Sequence, residues 1–353
     1  MTHRFRTCFS LLTLGLLSLG IAPVRAETYN AGVAEFTATH PDGRRNLNGH
    51  VWYPTHHEGA EDIVQDSKVW RTISGHRDAP VAAGAHPVVL MSHGMYGNAL
   101  NQAWLAQELA RAGVVSVLPN HPGTTTFDRD PEAARQLWFR ATDLSVSLDA
   151  LMADARFGDH LDVSRVAAAG HSLGGYTVMA AAGARHDPVA FAHYCAIVPM
   201  RPDCQAIAMW QVGADPREHT LLQSDRSDSR LKTVMTFDLG GTQIFEPASL
   251  GRVAIPVLVL GSGRQDMLIQ DVESRALVAA LPAGQVTHME LENAGHFDFM
   301  GECIEGGYDI LAHEEPGDEM VCIHGIKHRA AQHRRISAIV IAHLRATGVM
   351  PTE

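Results

Sequence analysis

Residues 170–175 read GHSLGG, placing Ser172 between Gly170 and Gly174 directly after the apolar run 166–169. A serine lifted off a strand end on a tight turn needs a strained backbone and neighbours without bulk at minus two and plus two, which is the geometry of a nucleophile elbow. Its hydroxyl is a poor nucleophile at neutral pH, so acyl transfer also needs a base and a carboxylate that orients the base. In a strand–elbow–helix setting the chain order is serine, acid, histidine, with the last two on loops after late strands. The apolar run 257–260 leads into GSGRQD, ending at Asp266, and the run 286–291 leads into ENAGHF, which contains His296. Ser172, Asp266 and His296 are therefore the expected triad, with Asp238, which closes the run 232–237, as the alternative acid.

Position has to select the base, because the chain holds 21 histidines. His296 follows a strand, sits behind a glycine and comes last in order. His171 lies on the elbow itself and points the wrong way for a base. His324 and His328 have helical i, i+4 spacing, but no HExxH pattern joins them, so with His333 they read as solvated and no metal site is expected. A tetrahedral intermediate needs preorganised N–H donors. Leu173, immediately after the nucleophile, is one; Met95, behind His93 and Gly94 in the loop after 87–91 (PVVLM), is the other.

The elements that must carry these groups alternate between strand and helix. Residues 34–39 and 50–53 read as short antiparallel edge strands, and 55–86 as polar and irregular. Buried parallel strands fit at 87–91, 114–118, 166–169, 232–237, 257–260 and 286–291, and helices at 100–112, 131–155, 173–182, 271–281 and 330–347. That alternation predicts one α/β domain over residues 27–353, a mostly parallel sheet with helices on both faces. Residues 185–230 are too long for a simple connection and read as a lid-like insertion.

The N-terminus carries Arg4 and Arg6, an apolar core at 9–21 and small residues at 24 and 26, the pattern of a cleavable signal peptide over residues 1–26. A periplasmic or secreted protein without an integral membrane segment after processing follows. The formal charge of −11 becomes more negative once the arginines of the leader are removed, which excludes nucleic acid as a natural partner. Cys195, Cys204, Cys303 and Cys322 remain, and proximity favours the disulfides Cys195–Cys204 and Cys303–Cys322.

Taken with HVWYPT (50–55), LMSHGMYGN (90–98), LPNHPGTT (118–125), GHSLGGYT (170–177) and AGHFDFM (294–300), the chain resembles the predicted dienelactone hydrolases of the α/β-hydrolase superfamily, related to the platelet-activating factor acetylhydrolases. The resemblance implies an eight-stranded sheet and a serine esterase with neither metal nor cofactor. It also implies roles for Ser172, His296, Met95 and Leu173 as above, with Asp238 the acid on the acetylhydrolase side and Asp266 on the other. A carboxylic-ester hydrolase working on small-molecule esters through an acyl-enzyme is the expected function. The alternatives are an acetylhydrolase for phospholipid-like acetyl esters, a serine peptidase, an acyltransferase and a non-catalytic binding protein. The sequence does not fix the oligomeric state.

Overall fold

The computed structural model describes residues 28–352, so the expected signal peptide lies outside the described residues. Ten strands form one sheet in the order β10-β9-β8-β7-β5-β6-β2-β1-β4-β3. The chain lays them down as β1 (Asn30–Thr39), β2 (Asn46–Thr55), β3 (Asp62–Gln65), β4 (Ile73–Arg77), β5 (His86–Ser92), β6 (Val115–Pro119), β7 (Leu161–His171), β8 (Leu231–Phe237), β9 (Val257–Ser262) and β10 (Val286–Leu291). From β10 through β6 every pairing is parallel. Strands β1 and β2 add an antiparallel hairpin through β2–β6.

The sheet has ten strands where eight were expected. The additional pairing comes from β3 and β4 inside the segment 55–86, where the burial pattern of β3 is eeii. A strand this short, polar and exposed carries no apolar alternation for a sequence reading to detect.

Helices cover both faces. They are α1 (Ala103–Arg111), α2 (Pro131–Arg135), α3 (Trp138–Ala153), α4 (Leu173–Ala181), α5 (Pro188–Ile197), α6 (Pro202–Met209), α7 (His219–Leu222), α8 (Pro247–Leu250), α9 (Ser274–Ala280), α10 (Gly307–Glu314) and α11 (Ile326–Ala346). Side chains alternate along β5: Val88 and Leu90 enter a core with Leu144, Leu148, Val178 and Met179. Val89 and Met91 enter the opposite core with Leu105, Leu109, Ile336 and Val340. The helix expected over 131–155 is broken at Gln136, whose ψ of 52° leaves the helical region. No helix among the described residues is long and apolar enough to cross a membrane.

Both expected disulfides are present, Cys195–Cys204 and Cys303–Cys322. The first joins α5 to α6 within the insertion, and the second joins the segment after β10 to the turn before α11.

His186 and His343 are buried with no charge partner at hydrogen-bond distance. Burial pushes His186 down to about 3 and His343 down to about 4, against 6.5 in an unfolded chain. The unfolded state therefore takes up protons that the folded state refuses, so stability falls as the pH drops below 6.5, down to about 4 for His343 and about 3 for His186. Each contributes a slope of about 1.4 kcal/mol per pH unit inside its window. Urea midpoints measured from pH 7 to 4.5 are expected to fall steadily and to fall less in His186→Phe. A flat profile in the parent protein contradicts this.

Candidate active site

All the expected chemical groups follow the C-terminal ends of the parallel strands, where an open α/β sheet gathers its ligand-facing loops. The loop after β5 brings His93, Gly94 and Met95, the turn after β7 brings Ser172, the end of β8 brings Asp238, and the loop after β10 brings His296.

Ser172 adopts φ 54° and ψ −119°, a sparsely populated conformation for a residue with a side chain, costing about 1–3 kcal/mol. Close packing forces it: a Cβ on Gly170 would collide with the backbone of Gly174, and one on Gly174 with the carbonyl of Ser92. The Ser172 N–H donates to the Phe237 carbonyl at 3.0 Å, tying the elbow to the end of β8. Six non-glycine residues among those described have positive φ, and Tyr96, Ser172, Asp238 and Gln265 all lie in these strand-end loops.

The imidazole partner is Asp238. His296 Nδ1 donates to Asp238 Oδ2 at 2.6 Å, with both residues buried. The carboxylate also accepts from Ser262 N at 2.8 Å, Ser262 Oγ at 3.0 Å and Gln270 Nε2 at 2.8 Å. Burial pushes this carboxyl up, but the His296 hydrogen bond and charge, with the Ser262 and Gln270 donors, hold it below its ordinary value of 3.8. Asp238 is thus set up as an anion, and the Nδ1–H bond leaves His296 Nε2 as the ring's acceptor.

Asp266, the acid favoured from sequence, occupies a different place. Its Oδ1 accepts from the backbone N–H of His296 at 3.0 Å, so it holds the main chain of the histidine loop rather than the ring. The reason lies in the two strand ends. Asp238 turns at once with φ 46°, its N–H still bonded to Leu260 at 2.7 Å, and this directs the carboxylate to the imidazole. Asp266 lies beyond the end of β9 at Ser262, on a loop that passes behind His296. The His171 ring is turned to the histidine loop, with Nε2 donating to the His296 carbonyl at 2.9 Å.

Leu173 opens α4, where the first N–H groups of a helix have no intrahelical acceptor. A Cβ on Gly94 would stand 3.2 Å from Ser172 Cβ, so Gly94 lies close against the serine. Leu173, directly after Ser172, and Met95, directly after Gly94, are the two residues expected to donate to an oxyanion.

Sequence reasoning missed what holds this loop. Arg140, buried on α3, donates from Nη2 to the His93 carbonyl at 2.6 Å and to Ser92 Oγ at 3.2 Å, and from Nε to Thr177 Oγ1 at 2.8 Å. His121 N donates to His93 Nε2 at 3.0 Å, which leaves His93 Nδ1 to donate to the Gly94 carbonyl at 2.8 Å. The His121 ring joins Ser92 Oγ at 2.9 Å to Asp143 Oδ2 at 2.8 Å. Asp143 accepts a two-pronged Arg45 at 2.8 Å on each oxygen and His40 at 2.7 Å. Burial opposes its charge, yet Arg45, His121 and His40 hold the carboxyl far below its ordinary range. The SHG and NHPG segments are therefore joined in one polar cluster beneath the loop after β5. The signal that could have shown it is a charged pair, Arg140 and Asp143, on the apolar face of a helix.

The insertion reaches the same loop: Trp210 Nε1 donates to Tyr96 Oη at 3.1 Å. Arg201 bonds Glu273 at 2.8 Å, anchoring α6 to the segment before α9. His324, His328 and His333 are not solvated as expected. His333 is buried, stacks on Trp104 at 3.7 Å and bonds the Met300 carbonyl at 2.8 Å, while His324 and His328 converge on Asp298.

Residues 87–230 match the family model described as the alpha/beta hydrolase fold. No curated protein matches the chain. The solved structure of a ferulic acid esterase from Streptomyces cinnamoneus is similar with a TM-score of 0.60 at 20% identity, covering 92% of this chain and 93% of that one. With the ten-stranded sheet, the helices on both faces and the elbow after β7, the chain has the α/β-hydrolase fold.

Proposed function

We propose that the protein is a serine carboxylic-ester hydrolase that works through an acyl-enzyme on Ser172. The observations that carry this reading are a strained elbow serine after β7 and, on the loop after β10, a histidine whose Nδ1 is fixed on the buried Asp238 carboxylate. The solved structure titled a ferulic acid esterase supports it as a fold likeness.

The chemistry follows from the groups in place. Ser172 Oγ attacks the ester carbonyl carbon as its proton passes to His296 Nε2, and Asp238 stabilises the imidazolium. The C–O double bond opens to an oxyanion facing the N–H groups of Leu173 and Met95. Collapse expels the alcohol, which takes the proton from His296. Water then attacks the acyl-enzyme with His296 as base, releasing the acid and restoring Ser172.

The insertion favours lipophilic esters. Val189, Ile197, Met200 and Met209 are exposed on α5, α6 and the turn between them, beside the Trp210–Tyr96 contact. An apolar acyl or alkyl chain covers such surface at a gain of about 25 cal/mol per Å2. The two disulfides of the chain suit a secreted or periplasmic enzyme.

Hydrolysis of p-nitrophenyl esters from acetyl to long acyl, beside the matched anilides, tests the reading. Esters are expected to turn over with an optimum beyond acetyl, and the anilides to remain intact. A sharp acetyl optimum moves the assignment to the acetylhydrolase alternative. Ester turnover no faster than that of Ser172→Ala contradicts the proposal.

A further inference from the structure

Behind the His296 loop, three side chains place one donor atom each within 4.8 Å of one another: Asp298, His324 and His328. His324 Nδ1 lies 2.9 Å from Asp298 Oδ2, and His328 Nε2 lies 3.3 Å from the same oxygen. Gly295 N also donates to that oxygen at 2.8 Å. A carboxylate oxygen has two lone pairs, so three claimants oversubscribe it. His328 Nε2 is the one left over, shielded from water and without a hydrogen bond.

We infer that Asp298, His324 and His328 form a binding site for a divalent transition-metal ion of the Zn2+ class. Two imidazoles and one carboxylate are a zinc-type donor set, whereas Ca2+ and Mg2+ favour all-oxygen sites. Tetrahedral bonds of about 2.0–2.2 Å put donors roughly 3.3 Å apart, close to the separations seen here. The i, i+4 histidines therefore have a partner from outside their own segment, in place of the HExxH glutamate they lack.

The surroundings fit a metal centre. Arg329 Nε donates to the other oxygen, Asp298 Oδ1, at 3.2 Å, and Gly295 N takes one lone pair of Oδ2, which orients the carboxylate and leaves the second lone pair of Oδ2 to the metal. The far nitrogen of His324, Nε2, faces Asp266 Oδ2 at 3.9 Å, an outer carboxylate of the kind that orients a ligating histidine. Asp298 and Asp266 supply two negative charges against the one positive charge of Arg329. Asp266 Oδ1 meanwhile holds the His296 N–H, so a bound ion braces the turn 295–298 from behind. Asp266 thereby has a role that does not depend on the triad.

The test uses untagged, chelator-treated mature protein titrated with Co2+ and then with Zn2+, neither of which depends on turnover. One equivalent of Co2+ is expected to give the visible absorption of a low-coordinate site, and Zn2+ to displace it. His324→Gln and His328→Gln are each expected to weaken Zn2+ binding at least about tenfold, with near-UV circular dichroism unchanged. If His324→Gln does not fold, His328→Gln decides, because its half-buried ring lies at the start of α11. Absence of saturable binding by the parent protein, or parent-like affinity in His328→Gln, overturns the site.

Discussion

Asparagine at position 238 is expected to lower kcat about 10^4-fold, whereas asparagine at 266 costs far less. The contacts around Asp238 explain the size of the effect. His296 Nδ1, Ser262 N and Gln270 Nε2 all point donors at this carboxylate. An amide NH2 placed there must oppose at least one of them, which leaves a buried donor unsatisfied. Turning the amide oxygen to Ser262 presents NH2 to the imidazole and selects the wrong tautomer, with the proton on Nε2 where the serine needs an acceptor. Asp266 accepts the backbone N–H of His296 on Oδ1, a bond that an asparagine oxygen can still accept, and its other oxygen faces His324 rather than the His296 ring. Steady-state kinetics of the two variants on one p-nitrophenyl ester checks the ranking. Loss of turnover in Asp266→Asn with activity retained in Asp238→Asn would return the acid to Asp266.

Removal of the Asp143 carboxylate is expected to destabilise the protein by about 3–5 kcal/mol. Asp143→Ala strands Arg45, His40 and His121, which all direct donors at it in a buried cluster, with buried Arg140 nearby. The loss is that of uncompensated charge rather than of one hydrogen bond. The sign with pH follows from the depressed carboxyl: its contribution is present above 3.8, where the unfolded carboxyl is ionised, and is lost as the pH falls towards the folded value. A catalytic consequence is expected too. His121 and Arg140 fix His93, and His93 fixes Gly94, so a variant that still folds should lose kcat more than it gains KM. Urea unfolding at pH 7 gives the stability term; a shift below about 1 kcal/mol shows that Asp143 is not the anchor of the cluster.

These two aspartates also mark where the sequence was legible and where it was not. Ser172 and His296 could be read because each has a local signature: two glycines around a strand-end serine, and a glycine-led histidine after a late strand. The buried strands β5, β7, β8 and β9 could be read because both their faces are apolar. Spacing ranks Asp266 above Asp238 because Asp266 follows the strand before the histidine strand, and it does not show the left-handed φ at Asp238 that turns this carboxylate to the imidazole. Strands β3 and β4 carry little apolar pattern. The Asp143 cluster joins His40, Arg45, Ser92, His121 and Arg140 from distant parts of the chain, so only the folded topology brings it together.

The central claim is that Ser172 is an activated nucleophile served by His296 and Asp238, and its most direct measurement is peptide mass spectrometry after reaction of the folded protein with a fluorophosphonate. One adduct per chain is expected on the peptide that contains Ser172, formed far more slowly in Asp238→Asn and absent from Ser172→Ala. A folded protein that takes no label, or that takes it on another residue, contradicts the account.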